Sequence, residues 1–375
     1  MRRLIAPALG LSAIVLTALV NAAPPAYSTR EALGEALFHD ANLSLGRSQA
    51  CATCHDPDFA FTDPRETEYG RAVSLGDDGH SVGDRNTPSA AYAFLSPRFT
   101  QRADGTYQGG QFWDGRADTL ADQAGGPPVN PREMGMADQA AVRGRIAENP
   151  AYATAFAALY GPQALESEAA AYAAMTDAIA AFEATAPFGR FDSKYDRYLR
   201  GEYKMTRQEE LGRTLFFSTQ FTNCHLCHRL ATSPVDPAET FTNYEYHNIG
   251  VPANPVLPPA QDRGLGGVLG DPAQDGKFKV PSLRNVAVTG PYMHNGVFRD
   301  LRTVIAFYNK YNSKSPARQI DPETGAPWAA PEVAENIALD RLEQGPALDD
   351  RRIDALVAFL RTLTDKRYEP LIPDD

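Results

Sequence analysis

The sequence predicts a mostly α-helical protein of two similar units in tandem, with long irregular loops between the helices. Three observations carry that expectation. The pentapeptide Cys51-Ala-Thr-Cys54-His55 returns as Cys224-His-Leu-Cys227-His228, and these two motifs hold all 4 cysteines of the chain. A similar segment precedes each motif, Gly34-Glu-Ala-Leu37-Phe38 before the first and Gly212-Arg-Thr-Leu215-Phe216 before the second, so a whole unit is repeated and not one motif. Strand signals are few and short, whereas apolar residues recur at helical spacing. At 375 residues, 43% hydrophobic and 22% charged, the chain is long enough for two domains of ordinary size.

The N-terminus begins Met1-Arg2-Arg3, continues as an apolar run from Leu4 to Val20, and reaches Asn21-Ala22-Ala23 before Pro24-Pro25. That is the layout of a secretory signal peptide over residues 1–22, cut after Ala22 or Ala23. The run is short for a bilayer span, and no later stretch is apolar enough to be one. A periplasmic protein with no membrane span in its mature chain is therefore expected. Its formal net charge of −11 argues against a nucleic-acid partner, since phosphate binding draws on a surplus of Lys and Arg.

The first unit is expected over residues 27–195 and the second over 202–368. In each, a short amphipathic helix leads through a loop into the cysteines, and the loop is longer in the first copy. Ser167 to Thr185 reads as an alanine-rich helix with Ala171, Met175, Ala178, Ile179 and Phe182 on one face. Pro187 ends it, and the run to about Gly201 is the expected boundary. Thr206-Arg-Gln-Glu209 is a capping box opening the helix of Leu211 and Leu215. Asp300 to Tyr308 reads as a helix with Leu301, Val304, Ile305 and Tyr308 on one face, and Asp349-Asp350 caps a last helix through Ile353, Leu356, Val357 and Leu360. Residues 76–88, 103–136 and 250–282 read as long loops rich in Gly and Pro, of the kind that are functional or disordered.

Two cysteines two residues apart, followed at once by histidine, are the attachment signal of c-type haem. The thiols add to the porphyrin vinyl groups and the histidine becomes the proximal iron ligand. A zinc ribbon would place both cysteine pairs on one metal and leave the two histidines unexplained, and a thioredoxin-like pair needs no trailing histidine. Two covalently bound c-type haems are thus expected, on Cys51, Cys54 and His55 and on Cys224, Cys227 and His228. Each unit becomes a cytochrome c-like domain packed around its haem.

Further segments give the chain a family. Leu37-Phe38, Phe112-Trp113-Asp114-Gly115-Arg116, Gly126-Pro127, Asn130-Pro-Arg-Glu133-Met134, Asn248-Ile-Gly250 and Pro291-Tyr-Met-His294-Asn-Gly296 resemble, in family order, the bacterial dihaem cytochrome c peroxidase/MauG family. The resemblance runs from about residue 30 to 365. It implies a haem peroxidase-type oxidoreductase in which hydrogen peroxide reacts at the first haem, with Glu133 as distal acid-base residue and Gln123 orienting the peroxide. A peroxidase needs an open iron and an acid-base group to move a proton as the O–O bond breaks. The resemblance also places Trp113, one of only 2 tryptophans, as a charge relay between the haems. It makes Asn86, Thr289 and Pro291 an interdomain calcium site, an oxygen set suited to a hard cation though without a carboxylate.

In methionine-ligated members of the family, a methionine fourteen residues after the counterpart of His294 ligates the second iron. The same distance here reaches Tyr308, with Tyr311 as the alternative. Periodicity alone would read Tyr308 as a core tyrosine; its place in the family pattern makes it a ligand. Phenolate favours higher oxidation states than a thioether does, so the chain resembles the tyrosine-ligated MauG branch. His80 reads as a loop histidine rather than a cap on the first iron, and His39, His225, His247 and His294 as structural or propionate contacts. The expected activity is a peroxide-dependent oxidation in which the second haem stores and passes oxidising equivalents, the target being a tryptophan of a partner protein. The alternatives are a peroxidase reduced by a small electron-donor protein and, of another class, a non-enzymatic dihaem electron carrier with both irons six-coordinate.

Overall fold

The structure is a computed structural model and describes residues 26–229 and 237–373. The signal peptide expected at residues 1–22 lies outside the described residues. Among those described, twelve α-helices follow in order: α1 (Arg30–Phe38), α2 (Cys51–Cys54), α3 (Leu120–Ala124), α4 (Gln139–Ala147), α5 (Pro150–Tyr160), α6 (Glu168–Glu183), α7 (Lys194–Leu199), α8 (Arg207–Phe216), α9 (Leu265–Leu269), α10 (Leu301–Asn309), α11 (Leu339–Leu342) and α12 (Asp350–Arg361). The four strands are two residues long each. β1 (Thr100–Gln101) pairs antiparallel with β2 (Tyr107–Gln108), Thr100 opposite Gln108, and β3 (Tyr246–His247) with β4 (Phe278–Lys279), Tyr246 opposite Lys279. A bridge from Gln108 to Glu245 links the two ribbons.

The repeat seen in the sequence is a repeat of helix packing. α1 lies on α6 and α8 lies on α12, and in both pairs the close approach falls at a glycine. A Cβ added at Gly34 would overlap the Ala178 carbonyl and crowd Phe182, and one at Gly212 would overlap the Ala355 carbonyl and crowd Phe359. Leu37 and Phe38 then bury against α6, and Leu215 and Phe216 against α12. Phe38 meets Phe182 edge to face at 5.4 Å between ring centroids, and Phe216 meets Phe359 at 5.2 Å. Each buried aromatic contributes about 1.5–3 kcal/mol of transfer free energy. The start signals read from the sequence are formed: the Ser167 hydroxyl accepts from Ala170 N, Thr206 and Glu209 close a capping box, and the side chains of Asp300 and Asp349 cap α10 and α12.

Two of the expected loops hold short elements. Residues 103–136 contain β2 and α3, the latter opened by a capping box between Thr119 and Asp122, and residues 250–282 contain α9 and β4. Helices of five residues are too short to show a 3.6-residue period, so Gly and Pro density masked them. α4 and α5 complete the first unit, α5 opened by Asn149 at the cap and Pro150 at the first helical position.

Phe188 belongs to the first core and Tyr195, on α7, to the second. A buried polar junction ties the units together. The Tyr92 hydroxyl donates to Asp365 at 2.7 Å, Asn285 Nδ2 donates to the same carboxylate at 3.0 Å, and Arg284 pairs with Asp196 at 2.6 Å. Among the described residues no helix is long and apolar enough to cross a membrane.

Candidate functional site

Both Cys-x-x-Cys-His motifs end in a histidine held in the same way. α2 is a single helical turn, and the amide of His55 donates to the Cys51 carbonyl at 2.9 Å. The ring of His55 then reaches Phe61, its Nδ1 lying 3.1 Å from that carbonyl. In the second motif the His228 amide donates to the Cys224 carbonyl at 2.9 Å, and His228 Nδ1 lies 3.2 Å from the carbonyl of Phe241. A backbone carbonyl only accepts, so Nδ1 carries the proton and Nε2 keeps the lone pair that a metal would take. Burial pulls both imidazoles down, His228 to about 4, so both rings are neutral at ordinary pH.

Both motifs open onto one continuous cavity of about 1760 Å³. Single small-molecule sites fill roughly 300–1,000 Å³, so this one is sized for more than one large group. Gln123 on α3 and Glu133 line its first half together with Cys51, Cys54 and His55. Glu133 sits in a tight turn, its amide donating to the Asn130 carbonyl at 3.0 Å while its own carbonyl accepts from Asp77 at 2.7 Å. Burial pushes the Glu133 carboxyl up, against the opposing pull of the Arg116 guanidinium and of Asn130. Arg116 is held over the Phe112 ring, 3.6 Å from its centroid, and paired with Asp114 at 3.0 Å.

Trp113 lines the cavity and is anchored to both halves of the chain. Its indole N–H donates to the Asn86 carbonyl at 2.9 Å, and its own carbonyl accepts from Lys279 on β4 at 2.8 Å.

α10 turns Leu301, Val304, Ile305 and Tyr308 toward the second half of the cavity, the face read from periodicity. The Tyr308 hydroxyl has no hydrogen-bond partner among the described residues. Burial pushes it up, and the Cys227 and Cys224 sulfurs add to the effect. Tyr311, the alternative, is used elsewhere: its hydroxyl donates to the Ile249 carbonyl at 2.9 Å.

The matching family model is that of the di-haem cytochrome c peroxidases, over residues 28–204. The chain is 56% identical over 361 residues to the methylamine utilization protein MauG of Paracoccus denitrificans (strain Pd 1222), covering 94% of this chain and 92% of that one. It is also 31% identical over 358 residues to the cytochrome c551 peroxidase of Nitrosomonas europaea, covering 94% and 86%. Among solved structures, the diheme peroxidase BthA from Burkholderia thailandensis E264 superposes with a TM-score of 0.81 at 35% identity, covering 92% of this chain and 88% of that one.

The chain belongs to the dihaem cytochrome c peroxidase/MauG family. As a member it is a haem peroxidase-type oxidoreductase that carries two haems, and its mostly helical architecture is that of two cytochrome c-like domains. The residues present suit the group: two neutral imidazoles with a free Nε2, four cysteines at cavity edges, and a cavity too large for one ligand.

Against that family pattern the remaining candidates sort themselves by position. Asn86, Thr289 and Pro291 line the cavity together, and Asn86 Nδ2 donates to the carbonyls of Arg71 at 3.2 Å and Ala72 at 3.3 Å. That leaves Asn86 Oδ1 and the carbonyls of Thr289 and Pro291 without a donor among the described residues, which is the chemistry a hard cation takes. His80 is exposed at the cavity margin. His247 and His294 face the cavity, with Glu245 at 3.4 Å and Glu332 at 3.5 Å respectively, and His294 stacks on Phe278 at 3.7 Å. His39 binds the Glu35 carbonyl at 3.0 Å, and His225 is buried inside its motif.

The sequence reading missed Phe61 and Phe241, whose carbonyls hold the two histidines. Both have positive φ, 56° each, an uncommon backbone for a phenylalanine. A signal was there: Phe61-Thr62-Asp63 and Phe241-Thr242-Asn243 follow their motifs, and Pro88-Ser89 and Pro281-Ser282 follow those. Ser89 donates to the Ala60 carbonyl at 2.6 Å and Ser282 to that of Thr240 at 2.7 Å, fastening the same loop in each unit.

Proposed function

We propose that the protein uses hydrogen peroxide to oxidise a tryptophan of a partner protein, with the first site receiving the peroxide and the second holding oxidising equivalents for transfer. The haems, held covalently by Cys51 and Cys54 and by Cys224 and Cys227, supply the redox chemistry. The chain supplies orientation, protons and ligands. Glu133, its carboxyl raised by burial, holds a proton more tightly than a solvated carboxyl does and can hand it to the leaving oxygen of peroxide. Gln123 offers an amide to orient the peroxide. Trp113, tied to Asn86 on one side and to Lys279 on the other, is a rigid aromatic stepping stone for charge between the sites.

Tyr308 is the observation that carries this reading. Its hydroxyl faces the cavity beside Cys224 and Cys227 with no hydrogen-bond partner among the described residues, while Tyr311 is already bonded. Burial alone would keep the phenol protonated, and a bound metal cation reverses that preference. His228 and Tyr308 as paired ligands favour storage of oxidising equivalents over acceptance of electrons from a small donor protein. The similarity to a methylamine utilization protein over nearly the whole chain supports the same branch. We place a calcium ion on Asn86, Thr289 and Pro291, the division between domains in the 187–201 run, and the mature protein in the periplasm after loss of residues 1–22.

The test is to titrate the oxidised, haem-loaded protein with peroxide and follow its absorbance, then add candidate partners and examine their tryptophans by mass spectrometry. A peroxide-oxidised state that persists without donor and a partner that gains a modified tryptophan are expected. Rapid decay that only a small redox protein accelerates would assign the chain to the donor-dependent peroxidases instead.

A further inference from the structure

The two helix pairs correspond residue for residue at their glycine contacts. Gly34 meets Ala178 and Phe182 as Gly212 meets Ala355 and Phe359. The positions that follow in register are Ile179 with Leu356, and Glu183 with Leu360. All four line the cavity, one pair in each half. Three are the apolar side chains that such a wall calls for. The fourth is a carboxyl, only 5% exposed, at the place where the second site carries Leu360 at 7%.

That carboxyl is costly to keep. It has no hydrogen-bond partner among the described residues, and an unpartnered buried carboxyl is among the most unfavourable groups an interior can hold. Burial alone pushes it up to about 8, and no charged side chain contributes to the shift. From the elements around it, α2 presents the Cys51 thiol, on which Glu183 and Glu133 both act, and α1 ends in His39, already bonded to Glu35. No cation among these groups offsets a negative charge there. Leucine would pack, as it does in the twin, so the acid is there for its proton.

We propose that Glu183 is a proton-exchanging group built into the first haem site and missing from the second, so that electron transfer at the first site is coupled to the Glu183 proton. As one electron leaves that site for an acceptor, the carboxylic acid releases one proton to solvent. The carboxylate left behind offsets the positive charge gained. Return of the electron takes the proton back. The inference rests on haem attachment at Cys51 and Cys54.

The test uses the haem-loaded protein and a redox titration of both haems between pH 6 and 9, in the wild type, Glu183→Gln and Glu183→Leu. A one-electron couple that exchanges one proton moves by up to about 59 mV per pH unit, the value of a tenfold change in concentration. The first haem of the wild type is expected to follow the pH more steeply than that of either variant, with the second haem unchanged in all three. Equal slopes in wild type and variants would overturn the proposal. The wild type also answers on its own: oxidation should remove the C=O stretch of a protonated carboxylic acid from the redox difference infrared spectrum, and a spectrum without that loss overturns the proposal even if the variants fail to fold. A purified chain with no covalent group on Cys51 and Cys54 would sink the haem reading and this inference together, whereas a loaded chain with equal slopes sinks this inference alone.

Discussion

Gly34 lies so close to the backbone carbonyl of Ala178 that no side chain fits between them, and Gly212 repeats the relationship with Ala355. Gly34→Ala and Gly212→Ala must push helix from helix, because the obstacle is backbone and cannot rotate away. Overpacking of this kind costs about 1–3 kcal/mol. Each variant is expected to melt several degrees below the wild type and to attach less haem to its own unit, measured by calorimetry and by haem yield. A variant that melts with the wild type would show that the helices part without cost.

Tyr308 and Tyr311 are three residues apart on or beside α10 and should respond in opposite ways. Tyr308→Phe removes a hydroxyl that bonds to nothing in the described chain, so stability should hold while the spectrum and potential of the second haem change. Tyr311→Phe removes the bond to the Ile249 carbonyl, at a cost of about 1 kcal/mol, and should leave the spectrum alone. The reverse pattern would move the ligand assignment from Tyr308 to Tyr311.

Glu133→Gln keeps the shape of the side chain and removes its acid. Reaction with peroxide, followed by stopped-flow absorbance, should slow by about 10²–10⁴-fold with haem content unchanged. An unaltered rate would take the acid-base role away from Glu133.

Glu183 also makes stability depend on pH, and the sign follows from its environment. Its carboxyl is raised from 4.5 to about 8 in the folded chain, so the folded state holds the proton more tightly than the unfolded one. Stability is therefore full below about pH 4.5, falls as pH rises toward about 8, and levels off above. Glu183→Gln should flatten that fall in urea unfolding at several pH values. A variant curve parallel to the wild type would mean that the carboxyl keeps its ordinary affinity for protons.

A calcium ion on Asn86, Thr289 and Pro291 would bind the folded chain alone and stabilise it by mass action. Treatment with a chelator should lower the melting temperature of the wild type, and added calcium should restore it. Asn86→Ala should melt low in both conditions. A wild type indifferent to chelator and calcium would remove the ion from this account.

Local patterns were legible before any coordinates. Cys51 to His55 and Cys224 to His228 stand out as a repeated motif, and capping signals at Ser167, Thr206, Asp300 and Asp349 lie next to the helices they start. Short elements were not legible, as α3 and α9 show, since five residues carry no period. Nor was the anchoring of His55 and His228, because a carbonyl acceptor leaves no mark on residue identity except the weak echo of Phe61-Thr62 in Phe241-Thr242. The different surroundings of Tyr308 and Tyr311 were not legible either. Both are tyrosines near the end of one helix, and only their surroundings reveal that one hydroxyl is occupied by Ile249 while the other faces the cavity.

The sequence by itself determined that there are two units, that each carries a haem-attachment motif, and which residues belong to the family pattern, because these depend on local order and on bonds between neighbours in the chain. Only the tertiary structure decided that Gly34 and Gly212 are where α1 meets α6 and α8 meets α12, that Trp113 is tied to both halves, and that Glu183 stands where its twin has Leu360. Those relations join residues far apart in sequence, and burial and packing, which act through space, assign them their character.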